Sequence, residues 1–184
     1  MAEYYLISQL PSLDGINEST PLPITEERFE ELCDRFLSKK AQTSMKKLTL
    51  SPPRDYESSG SALIDSFNQN ERNLRFALCK VRAEKMKKSF DIGKNIIPVE
   101  YIKAASTAIE IENPMEAEKY LNSFRLKALE TLRPMDSFSE DYIFYYSLKL
   151  KLILRIRQFD TKTGEKAYKN IYNSILNGDR LEAI

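Results

Sequence analysis

Residues 61–88 read SALIDSFNQNERNLRFALCKVRAEKMKK, and this stretch decides the fold class. Its apolar side chains recur every three or four residues, which is the spacing of one face of an α-helix. The stripe consists of Leu63, Phe67, Asn70, Leu74, Ala77, Leu78 and Val81. A helix of this length reaches roughly 40 Å, which is long for a small domain. We therefore expect it to be a spine against which shorter helices pack.

The residues before this segment predict further helices. Thr25 is placed as an N-cap ahead of an amphipathic run at 29–37. A weaker helical stretch covers 41–50, and the prolines that follow make 51–60 a candidate mobile loop or lobe boundary. The apolar and aromatic residues of 1–10 fit a short strand or a first helical turn, and the sequence does not decide between them.

Two helices are predicted directly after the spine. Pro98 suits the first turn of the first one. Its inward residues are expected to be Val99, Ile102, Ala105 and Ile109. Asn113 followed by Pro114 and Glu116 is the firmest helix start in the chain, with an N-cap, a proline at the first helical position and an acid in the first turn.

The C-terminal region predicts two more helices. Ser137 with Glu140 resembles a capping box, which would open a helix from about Ser139 to Phe159. That helix is apolar on most faces and should be central. A last helix, at 164–176, is expected to bury Ala167, Ile171 and Ile175.

Strand-period runs of useful length are absent beyond residues 3–8. We therefore predict an all-α fold, a multi-helix bundle of about six or seven helices around one long central helix. The chain is treated as one helical domain, 1–184. Its core should contain Phe67, Leu74, Leu78, Leu150 and Leu154.

Composition argues against catalysis. The chain has no histidine, which removes the commonest general base near neutral pH and the usual nitrogen ligand of zinc. It has five glycines and neither a GxGxxG nor a GxxxxGK[ST] spacing. Cys33 and Cys79 lie on apolar helical faces and are expected to be small buried hydrophobes. We predict no enzyme activity, no cofactor, no metal and no small-molecule substrate.

Location follows from similar absences. The sequence shows no signal peptide, and its most apolar stretch, 143–156, carries three basic residues and so predicts a buried helix and not a membrane span. Reduced thiols fit the same compartment. The expected location is the cytoplasm, including a peripheral position at the cytoplasmic face of the inner membrane.

Charge is unevenly distributed although the total is only +1. Between residues 71 and 94 there are eight basic and three acidic residues, a local excess of five positive charges. Such a run is often only a solvated face. The candidate partner-binding residues are Arg72, Arg75, Lys80, Arg82 and Lys85, together with Tyr142 and Tyr145. The tyrosines fit a half-buried interface or the ordinary edge of a core.

Several short stretches together resemble a known family. They are Tyr4–Ile7 with Leu10-Pro11, Glu71–Leu78 with Arg82-Ala83, Asn113–Glu118, Phe124-Arg125, Tyr146–Leu150 with Arg155, and Gly164–Lys166. Their order along the chain is similar to that of uncharacterised bacterial proteins whose genes lie among those for V-type (A/V-type) ATPase subunits. The helical style, rich in tyrosine and in basic leucine-lined helices, also resembles the C (d-like) subunit of those ATPases.

The resemblance implies a non-catalytic component of the complex. It would be a shortened C-like subunit that joins the central stalk to the membrane ring, or an accessory or assembly factor, with other ATPase subunits as partners. A second hypothesis is a general helical adaptor or regulator that binds an acidic protein through the basic helix. A third, RNA binding by that helix, is opposed by the near-neutral total charge, so no nucleic-acid partner is expected.

Overall fold

The computed structural model describes residues 2–16, 20–53, 58–90, 96–158 and 161–178. Eight helices and no strand lie in these ranges, so the predicted all-α bundle is confirmed with at least one helix more than expected. The helices are α1 Ala2–Gln9, α2 Glu26–Phe36, α3 Lys39–Lys47, α4 Ala62–Lys85, α5 Val99–Glu110, α6 Pro114–Glu130, α7 Glu140–Gln158 and α8 Thr161–Gly178. Of the two alternatives for residues 1–10, a strand or a helical turn, the structure shows a helix at Ala2–Gln9.

Side-chain caps define most of the helix starts. Thr25 Oγ1 accepts from Arg28 N at the start of α2, and Asn113 Oδ1 accepts from Met115 N at the start of α6, so both predicted caps are confirmed. The predicted capping box at Ser137 is wrong. Ser139 lies directly before α7, and its hydroxyl accepts from Tyr142 N at 3.3 Å. Because the cap lies two residues later than predicted, the Ser139 hydroxyl reaches the free backbone N–H groups in the first turn of α7.

The apolar core consists of two clusters joined by α4 and α6. The larger cluster contains buried residues of α1, α2, α3 and α7 together with the first turns of α4. The smaller cluster lies between the second half of α4, α5 and the first half of α6. α7 is the most enclosed helix, because every residue from Ile143 to Leu150 is buried. The longest helix, α4, is thus the spine, and α7 is the centre of the larger cluster.

Most of the predicted core is where the helical period places it. Phe67, Leu74, Leu78 and Leu150 are buried, while Leu154 is half-buried and packs against the larger cluster. Before the last helix, two of the expected buried positions are wrong. Cys79 is exposed although Cys33 is buried. Val99 is exposed because it lies directly after the N-cap Pro98, where α5 has not yet reached the smaller cluster.

The prediction for the last helix is wrong in its packing. α8 begins at Thr161, and every side chain from Gly164 to Leu176 is exposed, including those of Ala167, Ile171 and Ile175. The apolar stripe exists, but no other helix of the described chain covers it.

The candidate boundary at 51–60 lies partly outside the described residues, which omit 54–57. The two ends of that segment are tied to α4. Pro52 O accepts from Arg75 Nη1 at 2.9 Å, and Ser59 N donates to Asp65 Oδ1 at 2.7 Å. A separate finding concerns membranes: no helix in the described ranges is long and apolar enough to span one.

Candidate docking surface

The first two arginines of the predicted basic surface belong to the interior. Arg72 is only 5% exposed, and its guanidinium donates to Gln69 Oε1 at 3.2 Å. Arg75 is half-buried and holds the carbonyl of Pro52. Both side chains lie on α4 close enough to the apolar stripe to be drawn inward with it. A partner could reach Arg72 only if the fold opened.

A buried polar layer keeps this part of α4 away from solvent. Glu71 and Arg72 come between Phe67 of the larger cluster and Leu74 of the smaller one. Arg125 of α6 donates through Nε to Glu71 Oε1 at 2.9 Å and through Nη1 to Asn122 Oδ1 at 2.9 Å. Burial raises the pKa of the Glu71 carboxyl, and the adjacent Arg125 offsets part of that rise.

The remaining basic residues lie at the C-terminal end of α4. Lys80 is half-buried, whereas Arg82 and Lys85 are exposed. Two further exposed lysines follow directly, Lys87 and Lys88. We call Arg82, Lys85, Lys87 and Lys88 the basic cap. Lys94, the last residue of the predicted basic run, lies outside the described residues.

The backbone of the basic cap forms a Schellman motif, the six-residue turn that ends many helices. Lys88 N donates to Ala83 O at 2.9 Å and Lys87 N donates to Glu84 O at 3.0 Å. The motif needs a left-handed residue at its fifth position, which is usually glycine. Here Lys87 has that conformation, with a φ of 55°, and it is the one non-glycine residue with positive φ in the described chain. A lysine side chain therefore projects from a strained position at the helix end.

The charged groups of the basic cap are exposed to solvent and accessible to a partner. None of its four side chains has an ion-pair partner within the described ranges. Glu84 is the single acid among residues 82–88. Met86, 60% exposed, adds an apolar contact between the cations. Cations at a helix C-terminus interact favourably with the helix dipole. The basic cap is therefore also stabilised when no partner is bound.

The two candidate tyrosines have different environments. Tyr142 is half-buried, but Tyr145 is 2% exposed and donates through its hydroxyl to Glu130 Oε2 at 2.7 Å. Burial and this hydrogen bond raise the pKa of Tyr145 to about 12. Tyr145 is thus a core residue with a satisfied polar tip, and Tyr142 covers it, with ring centroids 5.9 Å apart.

Lys149 is the centre of the polar group around these tyrosines. Its Nζ lies 2.5 Å from Asp14 Oδ1 and 2.7 Å from Glu130 Oε1. Burial lowers the pKa of Lys149, but the hydrogen bonds to the two carboxylates outweigh burial and raise it. The Lys149 hydrogen bond lowers the pKa of Asp14, and hydrogen bonds from Lys149 and Tyr145 overcome burial to lower that of Glu130.

A cavity of about 170 Å³ opens beside Lys149, lined by Tyr142, Tyr145, Arg133 and the loop that carries Asp14. The cations and carboxylates around it already neutralise one another, so the arrangement fastens the 10–16 loop to α7 and offers a ligand no unmatched charge. In the part of the chain that is described, no group of three acidic or cysteine side chains could hold a metal ion.

Two features of the structure were not predicted from the sequence. The Lys149 cluster could have been found from a lysine inside an apolar helix, since a buried ammonium requires carboxylates. The strained Lys87 has a weaker signal, the absence of glycine where α4 ends. The structure keeps Arg82 and Lys85 together on one exposed cap, with Lys80 half-buried on the turn before it, and separates them from Arg72, Arg75 and the tyrosines. Partner binding by the exposed members stays a prediction.

Comparison with known protein families gives a match. The model of a family described as "Protein of unknown function (DUF2764)" matches residues 83–179, just over half of the chain. The match begins inside the last turn of α4, at the basic cap, and extends through α8. The chain therefore belongs to this family. No curated protein and no solved structure matches it.

Proposed function

We propose that this DUF2764 protein is a non-catalytic, cytoplasmic docking component of a V-type ATPase, either a shortened C-like subunit or an accessory factor of the same complex. The observation that carries the docking function is the basic cap, where four exposed cations have no ion-pair partner in the described structure. The sequence resemblance supplies the identity of the complex. An all-helical body held by buried polar pairs supports a rigid structural role.

The basic cap has the properties of a contact that positions a partner. Exposed charges of one sign raise the association rate and orient the encounter, and salt weakens both effects. Arg82 can grip a carboxylate with two parallel hydrogen bonds, and Met86 supplies apolar surface at the centre. The left-handed Lys87 costs conformational energy that a glycine would not. The lysine at this position adds one more positive charge to the basic cap.

Native membranes from the source cells provide the test. A tagged chain is used to capture its partners, which are identified by mass spectrometry. We expect V-type ATPase subunits in the wild-type capture, and we expect their yield to fall when Arg82→Glu and Lys85→Glu are combined. The loss should be larger in low salt, where steering contributes most.

The matched control reverses the exposed pair Lys39 and Lys40 at the start of α3, which makes the same change in net charge on another surface. It should capture ATPase subunits as the wild type does. Equal capture by all three proteins would remove the basic cap from the interface. A wild-type capture that contains no ATPase subunit would overturn the proposed complex.

The same cap supports a second candidate function, that of a general helical adaptor for an acidic protein. It needs no ATPase, and the identity of the captured proteins separates the two. An acidic protein from outside the complex, lost specifically in the Arg82→Glu and Lys85→Glu variant, would favour the adaptor.

A further inference from the structure

α8 is an amphipathic helix whose apolar face is uncovered. The apolar residues recur with the helical period and form one stripe, namely Tyr168, Ile171, Tyr172, Ile175 and Leu176. Their exposed fractions range from 47% for Leu176 to 68% for Tyr168. The rings of Tyr168 and Tyr172 stack at 6.0 Å and so present one flat aromatic surface.

Such a helix is poorly stabilised by its own sequence. Its 18 residues include Gly164, Asn170 and Asn173, which are weak helix formers. Most helices in proteins are stabilised by burial of an amphipathic face more than by helix propensity. The stripe on α8 therefore requires a covering surface.

We propose that a second copy of this chain covers the stripe, so that two α8 helices pack antiparallel in a symmetric dimer. At the observed exposures the five side chains offer roughly 500 Å² per copy, so the pair would bury on the order of 1,000 Å² in total, the lower limit for a specific interface. An interface of this size belongs to the weak, transient class, so the dimer should respond to protein concentration.

The charges of α8 select the antiparallel arrangement. Its described charged side chains, Glu165, Lys166 and Lys169, all lie in the first half, and residues 170–176 carry none. In an antiparallel pair each charged half faces the uncharged half of the other copy. Glu165, three residues before Tyr168 and seven before Tyr172, lies in line with the stripe. A parallel pair would therefore bring Glu165 beside its own copy, and like charges facing each other across a contact are unfavourable. A twofold pairing of one surface with itself is also the commonest form of dimer.

Sedimentation of the full chain over a wide concentration range tests the association. We expect the wild type to shift from monomer to dimer as concentration rises. Ile171→Glu with Ile175→Glu should weaken the dimer by more than about tenfold, because it places two carboxylates in the apolar contact. Asn170→Glu with Asn173→Glu adds the same charges on the opposite face and should leave the dimer unchanged.

Disulfide formation tests the direction of packing, in a Cys79→Ser background because that thiol is exposed. An antiparallel pair centred near Tyr172 brings Tyr172→Cys close to its own copy. It holds two Tyr168→Cys residues roughly 12 Å apart, too far for a disulfide. Cross-linking at 172 and not at 168 is expected. Efficient cross-linking at 168, or a wild type that stays monomeric at every concentration, would overturn the proposal.

The proposal is independent of the ATPase assignment, since the basic cap lies on α4 and the stripe on α8. A wild type that stays monomeric but captures ATPase subunits would refute only the dimer. A wild type that dimerises but captures no ATPase subunit would refute only the proposed function.

Discussion

Arg125 Nε donates to Glu71 Oε1 at 2.9 Å, and the two side chains are only 9% and 5% exposed. Arg125 also contacts Glu118, which Arg155 of α7 meets at 2.8 Å. One chain of alternating charges thus joins α4, α6 and α7 between the two apolar clusters. These ion pairs tie the three helices to one another in the observed alignment.

The first prediction concerns that pair. Arg125→Met should lower the free energy of unfolding by about 3–5 kcal/mol, because it leaves the Glu71 carboxylate buried without its partner. Glu71→Leu combined with Arg125→Met should recover most of the loss, since neither charge is then buried alone. Urea unfolding measures Arg125→Met, Glu71→Leu alone and the double variant. A double variant as unstable as the two single changes added together would show that the pair does not act as a unit.

The second prediction concerns the apolar clusters. Leu74→Ala in the smaller cluster and Leu150→Ala in the larger one should each cost about 2–5 kcal/mol, because both side chains are buried and leave cavities. Leu176→Ala on the exposed stripe of α8 is the control, and it should change stability by less than about 0.5 kcal/mol in dilute, monomeric protein. The same unfolding measurement applies. A Leu74→Ala variant as stable as this control would remove α4 from the core.

Local signals in the sequence predicted most of the fold. The helical period located α4 and α7, and the N-caps at Thr25 and Asn113 are decided by residues within one turn. The period shows that a helix has an apolar face but does not show what covers it. For that reason the stripe of α8 was predicted as buried with the same logic that succeeded for α4.

Distinctions within one helix were also beyond the sequence. Arg72 and Arg82 both flank the stripe of α4, yet the first lies in a closed polar layer and the second on an open end. The difference depends on which residues of α6 and α7 face each turn. The sequence thus places the candidate basic surface on α4, while the packed structure shows which of its members are exposed.

The third prediction concerns the pH dependence of the Lys149 cluster. The pKa values of Asp14 and Glu130 are lowered from ordinary values of 3.8 and 4.5, so the folded protein binds these protons less tightly than the unfolded chain does. Their stabilisation is therefore present above the ordinary pKa values and is lost as the pH falls through the lowered ones.

Lys149→Met should remove that dependence because it deletes the shared partner. We expect a loss of about 1–3 kcal/mol at neutral pH and a flatter decline of the melting temperature toward acid. Lys46→Met is the matched control, since Lys46 reaches Asp34 at 4.0 Å in an exposed pair and should change little. An acid profile as steep as that of the wild type would exclude the cluster as its cause.

The fourth prediction concerns the strained residue of the basic cap. Lys87→Gly should raise the free energy of unfolding by about 0.5–1 kcal/mol. Glycine adopts the left-handed conformation without steric cost, and this gain is larger than the loss caused by the greater entropy of glycine in the unfolded chain. Lys88→Gly removes the same charge from the adjacent residue, where φ is not positive, and should give no gain in stability. Thermal unfolding compares the two. If the basic cap docks the protein as proposed, both variants should capture less partner, and Lys87→Gly should do so while being more stable than the wild type. A Lys87→Gly variant that is less stable than Lys88→Gly would contradict the strain at this position.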